Sequence, residues 1–173
     1  GLGDVYKRQT KDFVTYENHG PVLFPDSDLD SSGAYSGSAF VRDGKIHYFY
    51  TGNVKHFDRD DYDYVLTGRE QNQIHVVAEN PDELGEKRIA VGPVDYPDDI
   101  GTHVRDPKIL EHDGIYYMVL GARTKDDRGC VLVYTSSDLE DWSYATRIEL
   151  GEKFGFMWEC PDCLLYTSPS PRD

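Results

Sequence analysis

The strongest constraint on this chain is an internal repeat. An Asp-Gly pair stands at Asp43-Gly44 and again, 70 residues later, at Asp113-Gly114, each flanked by short apolar runs. Such a pair is a hairpin signal, because a two-residue turn needs positive φ and Gly tolerates it at little cost. The first copy reads as strands Ser38–Arg42 and Ile46–Thr51, the second as Pro107–Glu111 and Ile115–Gly121. Each hairpin is followed by a polar loop and an apolar strand, Ile74–Ala78 in one copy and Val131–Tyr134 in the other. A polar turn comes next, Glu79–Gly85 or Thr135–Asp141, and then a last strand, Arg88–Val91 or Thr146–Leu150. Four strands per recurring unit, with no stretch of helical period, predict an all-β chain. The expected architecture is a partial β-propeller of about two blades plus the first strand of a third. An open sandwich also places short strands at such intervals; the repeat favours the propeller.

Charge narrows the partners. With 32 acidic against 18 basic residues the formal net charge is -14. Nucleic acid and anionic membrane surfaces both need a cationic face, so neither is an expected partner. No run of 18 apolar residues is present to span a bilayer. Thirteen Tyr and seven Phe are too many rings for a disordered acidic tail.

The two ends read differently from the rest. Gly1–Gln9 and Cys163–Asp173 can be back-translated into strings that are reverse complements over their shared stretch, and both look like the transposon end-sequence used in preparing DNA sequencing libraries. Residues 1–9 and 163–173 are therefore expected to be adaptor-derived, leaving 10–162 as the segment to interpret. Within it only Cys130 and Cys160 remain, with no Asn-x-Ser/Thr sequon. That favours a reduced, cytoplasmic setting over a disulfide framework.

Three stretches fall where a blade's first strand would begin: Ala34-Tyr-Ser-Gly-Ser38, Arg105-Asp-Pro107 and Trp158-Glu-Cys-Pro-Asp162. The offset of 70 places Ser36 over Asp106. Innermost strands of successive blades start near the mouth of the central channel, so these positions should converge into a polar cluster that includes two carboxylates. Carboxylates around a shared pocket are what glycosyl transfer to water requires. Asp before Pro is also an ordinary turn starter, and Ser36-Gly-Ser38 alone says nothing. Glu159, between Trp158 and Cys160, is expected to be partly desolvated, which suits a general acid.

In this order, Tyr35-Ser-Gly-Ser38, Tyr50-Thr-Gly-Asn53, Arg105-Asp-Pro-Lys108 and Phe154-Gly-Phe-Met-Trp-Glu-Cys-Pro-Asp162 resemble glycoside hydrolase family 32, most closely its bacterial sucrose-6-phosphate hydrolase and invertase branch. The resemblance extends over 10–162, including Val22-Leu-Phe-Pro-Asp26 and Tyr117-Met-Val-Leu-Gly121. It implies a five-bladed propeller followed by a β-sandwich, cleaving fructose from β-fructofuranosides with retention of configuration. It further implies Glu159 as acid/base, Asp106 as the residue that holds fructose hydroxyls and stabilises the transition state, and Tyr35, Ser36 and Arg105 as sugar contacts. The family's nucleophile is the Asp of an Asn-Asp-Pro-Asn motif; this sequence has no such motif, so the nucleophile is expected upstream of Thr10 and the chain by itself is expected to be inactive. No metal or organic cofactor is implied; the partner is a small sugar. A fructan hydrolase and a non-catalytic carbohydrate-binding propeller are the alternatives.

Other features read as scaffold. The acidic run His56–Asp63 has Tyr62 and no following Gly where a Ca²⁺ loop would need one. Of the scattered histidines, His103 is the one expected near the pocket. Recognition of a phosphorylated sugar needs local positive charge, and Lys55, Arg59, Arg69 and Arg123 are candidates between which the sequence does not choose.

Overall fold

The computed structural model describes residues 5–80 and 83–163. Its eleven strands are β1 (Val5–Gln9), β2 (Glu17–Leu23), β3 (Ala34–Arg42), β4 (Lys45–Lys55), β5 (Arg69–Asn80), β6 (Glu83–Leu84), β7 (Arg88–Val91), β8 (Ile100–His112), β9 (Ile115–Thr124), β10 (Gly129–Ser136) and β11 (Ser143–Ile148). They form a β1–β2 ribbon, a sheet in the order β3-β4-β5-β6 with β7 also on β5, and a sheet in the order β8-β9-β10-β11. The second and third are the two repeats, each an antiparallel meander, as in successive propeller blades. The expected hairpins are present. Asp43 (φ 51) with Gly44 (φ 77), and Asp113 (φ 51) with Gly114 (φ 76), take the left-handed turn that matches the twist of the flanking strands. Most strands run longer than expected: the first starts at Ala34 rather than Ser38, the third at Arg69 rather than Ile74, and the first of the second repeat at Ile100 rather than Pro107, while the last runs over Ser143–Ile148 rather than Thr146–Leu150.

Strand alternation builds the core between the blades. Met118, Leu120 and Ala122 of β9 and Cys130, Leu132 and Tyr134 of β10 face one way and pack with Phe49 and Val91 of the first blade. Trp142 meets Phe49 edge-on at 5.8 Å between ring centroids. Residues at every second position share a face, which is why the 9-to-10 and 4-to-5 pairings bury a continuous apolar layer. On its other face the first blade buries Tyr50, Ile74 and Val76 against Leu23. Asp30, fully buried, ties the preceding loop to this face by accepting from Tyr50 Oη (2.7 Å) and Lys87 Nζ (2.6 Å).

Of the terminal stretches set aside above, residues 1–4 and 164–173 lie outside the described residues, as do 81 and 82 of the first polar turn; Val5–Gln9 pairs with Glu17–Leu23 as the terminal ribbon. No helix among the described residues is long and apolar enough to cross a membrane.

Candidate active site

The two innermost strands, β3 and β8, lie side by side. Ser38 Oγ donates to Pro107 O at 2.8 Å and accepts Ile109 N–H at 3.2 Å. Both strands break register against their partners, β3 between Ala34 and Gly37, and β8 between Ile100 and Val104 and again between Arg105 and Lys108. A bulge re-aims the side chains it contains. The β3 bulge and the second in β8 hold Ser36 and Asp106, the pair that the 70-residue offset superposes, and both turn into one cleft of about 660 Å³. Tyr35, Ser36, Arg105, Asp106, Glu159 and Cys160 all line it.

Asp106 has φ +63, unusual for a residue with a side chain. Strain of this kind persists where the surroundings over-determine the backbone, and here they do. Asp106 N–H donates to Thr51 Oγ1 (3.0 Å), whose own hydroxyl donates to Gln73 Oε1 (2.7 Å). Gln73 Nε2 donates to Val104 O (2.9 Å), and Val104 N–H donates to Gln71 Oε1 (2.8 Å). Thr51, Gln71, Gln73 and Val104 are all buried. A buried polar network of this sort fixes one geometry. From the other side, Cys160 N–H donates to Asp106 Oδ2 at 2.8 Å. Desolvation first, and the Asp106 charge next, raise the Cys160 pKa, keeping the thiol protonated beside that carboxylate.

Glu159, next in sequence to Cys160, lines the same cleft as Asp106. Its Oε1 lies 3.2 Å from Arg105 Nη1, and its side chain is 60% exposed. The desolvation expected from its neighbours is absent: Trp158 turns away, donating Nε1 to Phe154 O at 2.7 Å, so the indole covers the loop and not the carboxylate. Two glycines admit this loop. A Cβ on Gly121 would lie 2.1 Å from Trp158 O, and one on Gly129 would lie 2.3 Å from the Trp158 ring.

His103 is near the site but behind it. Its Nδ1 accepts from Arg105 Nη2 and its Nε2 donates to Val65 O at 2.7 Å, which fixes the neutral tautomer. Burial chiefly, with opposing positive charge from Arg105, Arg69 and Arg123, pulls its pKa down to about 4. His103 thus holds Arg105, and Arg105 holds Glu159. Sequence reading missed the Thr51–Gln73–Gln71 network; its available signal was Gln71-Asn-Gln73, three polar residues with no turn former directly before an apolar strand. Among the described residues no group of three acidic, His or Cys side chains is placed to hold a metal.

With this geometry in hand, the comparisons with known proteins agree on one relationship. The sequence profile described as "Glycosyl hydrolases family 32 N-terminal domain" matches residues 6–169. The chain is 41% identical over 151 residues to a sucrose-6-phosphate hydrolase of Klebsiella pneumoniae, an alignment covering 83% of this chain and 30% of that protein. Among solved structures, a sucrose-6-phosphate hydrolase from Lactobacillus gasseri superposes with TM-score 0.78 at 33% identity, over 92% of this chain and 31% of that one. A Bombyx mori β-fructofuranosidase in complex with sucrose gives TM-score 0.74 at 25% identity, over 94% and 32%. The chain spans about 31% of the length of the curated relatives it matches.

Proposed function

Since the chain belongs to glycosyl hydrolases family 32, we propose that it forms part of the catalytic propeller of a retaining β-fructofuranosidase acting on sucrose 6-phosphate or sucrose. The observation that carries this reading is the convergence of Asp106 of β8 and Glu159 of the segment after β11 in one cleft. In the proposed reaction Glu159 protonates the oxygen leaving with glucose while positive charge builds at the fructose anomeric carbon. A carboxylate about 5 Å away attacks to form a fructosyl-enzyme, and Glu159 then draws a proton from the water that releases fructose. No Asn-Asp-Pro-Asn motif occurs in this sequence, so that nucleophile is supplied from outside residues 10–162. Asp106, anchored at its backbone by Thr51 and at its carboxylate by Cys160, is pre-placed to hold fructose hydroxyls most strongly as the ring flattens. Tyr35, Ser36 and Arg105 complete the sugar contacts. Arg105 has a second task, steering Glu159 through the pairing that His103 supports.

Free thiols at Cys130 and Cys160 fit a reduced cytoplasmic setting. Residues 10–162 are taken as the propeller segment and 1–9 and 163–173 as adaptor-derived; sequencing the source gene across both junctions tests that boundary. The function is tested by assaying glucose release from sucrose and from sucrose 6-phosphate by the complete five-bladed enzyme and by the 173-residue chain. Turnover by the complete enzyme and none by the chain is expected. Turnover by the chain alone, abolished in Glu159→Gln, would overturn the account of the nucleophile; no fructoside turnover by the complete enzyme would overturn the function.

A further inference from the structure

Three guanidiniums gather around one loop of a chain whose formal net charge is -14, and of the three Arg105 lines the site cleft. Arg69 opens β5, Arg105 lies within β8, and Arg123 is the residue before the last of β9. Arg69 and Arg123 are each 7% exposed and the Arg105 side chain 15%. Each leaves its buried Nε without a hydrogen-bond partner. They converge on one loop. Arg69 Nη2 donates to Tyr64 O (2.6 Å), Arg123 Nη1 to Val65 O (3.4 Å), and Arg105 reaches the same Val65 carbonyl through His103. Between them they have two carboxylates, Glu159 on Arg105 and Asp127 on Arg123. Arg69 makes no ion pair among the described residues.

Burying a guanidinium without a counter-charge is unfavourable enough that folded proteins rarely keep one, and orphaned buried donors call for an acceptor. A cleft of about 320 Å³ opens at Arg69, Thr102 and Lys125. Gln71, which also lines it, leaves its buried Nε2 unpartnered. Its two carboxylates, Glu70 and Asp98, do not reach the arginines; Glu70 is held by His56 at 3.0 Å. The other basic candidates, Arg59 and Lys55, are not buried and line neither of these two clefts. Arg59 is exposed and paired in a fork with Asp61 (2.8 Å twice), and Lys55 lies over the rings of Phe57 and Tyr64. Planar guanidiniums with free N–H groups match a tetrahedral phosphoryl group.

We propose that Arg69 and Arg123 recognise the phosphoryl group of a phosphorylated disaccharide and so set the preference for sucrose 6-phosphate over sucrose. This rests on the fructosidase reading above. The leaving-group sugar sits against Glu159, and Arg105 joins Glu159 to the other two guanidiniums, which places them on the leaving-group side. They are specificity residues: they touch the substrate away from the reacting atoms.

The test measures kcat/KM of the complete enzyme for both sugars. Arg69→Gln and Arg123→Gln should each lower the value for sucrose 6-phosphate by about 10- to 100-fold, while sucrose changes by less than about 3-fold. Arg69→Lys should keep part of the preference. Equal losses on the two sugars would assign the arginines to scaffold and overturn the proposal, as would an unchanged ratio. A readout on the unmodified enzyme stands independently of folding in the variants: glucose 6-phosphate should inhibit at least about 10-fold more tightly than glucose, and equal inhibition overturns the proposal. Absence of hydrolysis of either sugar would instead remove the fructosidase reading, and this proposal with it.

Discussion

Replacing Thr51 by Val isolates what holds Asp106 in place. The two side chains have the same shape, so packing at this fully buried position is kept. What disappears is one hydroxyl with two partners, Asp106 N–H at 3.0 Å and Gln73 Oε1 at 2.7 Å. Both would be left buried and unpaired, and an unsatisfied buried polar group costs about 1–3 kcal/mol. The expected loss is about 2–4 kcal/mol of stability, read as a shift of the urea unfolding midpoint of the complete enzyme. Activity should fall further than stability requires. Freed from Thr51, the backbone at Asp106 can relieve its positive φ, and a carboxylate displaced by about 1 Å costs on the order of 10²-fold in kcat/KM. Thr51→Ser, which keeps the hydroxyl and drops a methyl, should recover most of both quantities. A valine variant with wild-type stability and kcat/KM, or a serine variant as impaired as the valine one, would refute the reasoning.

Other expectations follow from the same contacts. Glu159→Gln in the complete enzyme should lower kcat by about 10²- to 10⁴-fold on sucrose with Tm changed little, since the side chain is mostly exposed; a comparable rate in the variant would remove its acid/base role. Gly121→Ala should push back the Trp158 carbonyl, which its Cβ would otherwise approach to 2.1 Å, and so reduce kcat more than it raises KM; unchanged kinetics would show that the loop tolerates the shift. His75 and His103 are both held near pKa 4, by burial first and neighbouring positive charge in addition. The unfolded chain takes up their protons near 6.5 while the fold does not, so stability falls as pH drops from 6.5 towards 4 and levels below it. Urea midpoints at pH 7.5, 5.5 and 4.5 check this, and the slope should flatten in His103→Gln.

What could be read from the chain was whatever local chemistry decides. Asp-Gly turns specify their own backbone, so both hairpins and the 70-residue equivalence of Ser36 with Asp106 were legible, and the structure turns that equivalence into two matching bulges. The third strand was read too short because Gln71 and Gln73 look like loop residues, whereas each is buried by partners on β8 that no local pattern announces. The mutual placement of Glu159 and Asp106 was legible only as convergence. Their meeting in one cleft depends on contacts between β8 and residues 159–160, Cys160 N–H to Asp106 and Arg105 to Glu159, and the exposure of Glu159 on the direction Trp158 takes. His103 was placed near the pocket, but its task of holding Arg105 depends on the Val65 carbonyl 38 residues earlier.

Asp106 is hydrogen-bonded to each neighbouring unit, giving its N–H to Thr51 before it and accepting from Cys160 N–H after it, while the Asp-Gly turns lie at the opposite rim of the sheets. Reconnecting the termini and opening the loop at Gly44 or Gly114 would thus leave that joint whole. A version divided into two polypeptides anywhere between residues 124 and 153 would instead have to reassemble across the Asp106–Cys160 contact, making activity a direct reporter of whether the halves have found each other.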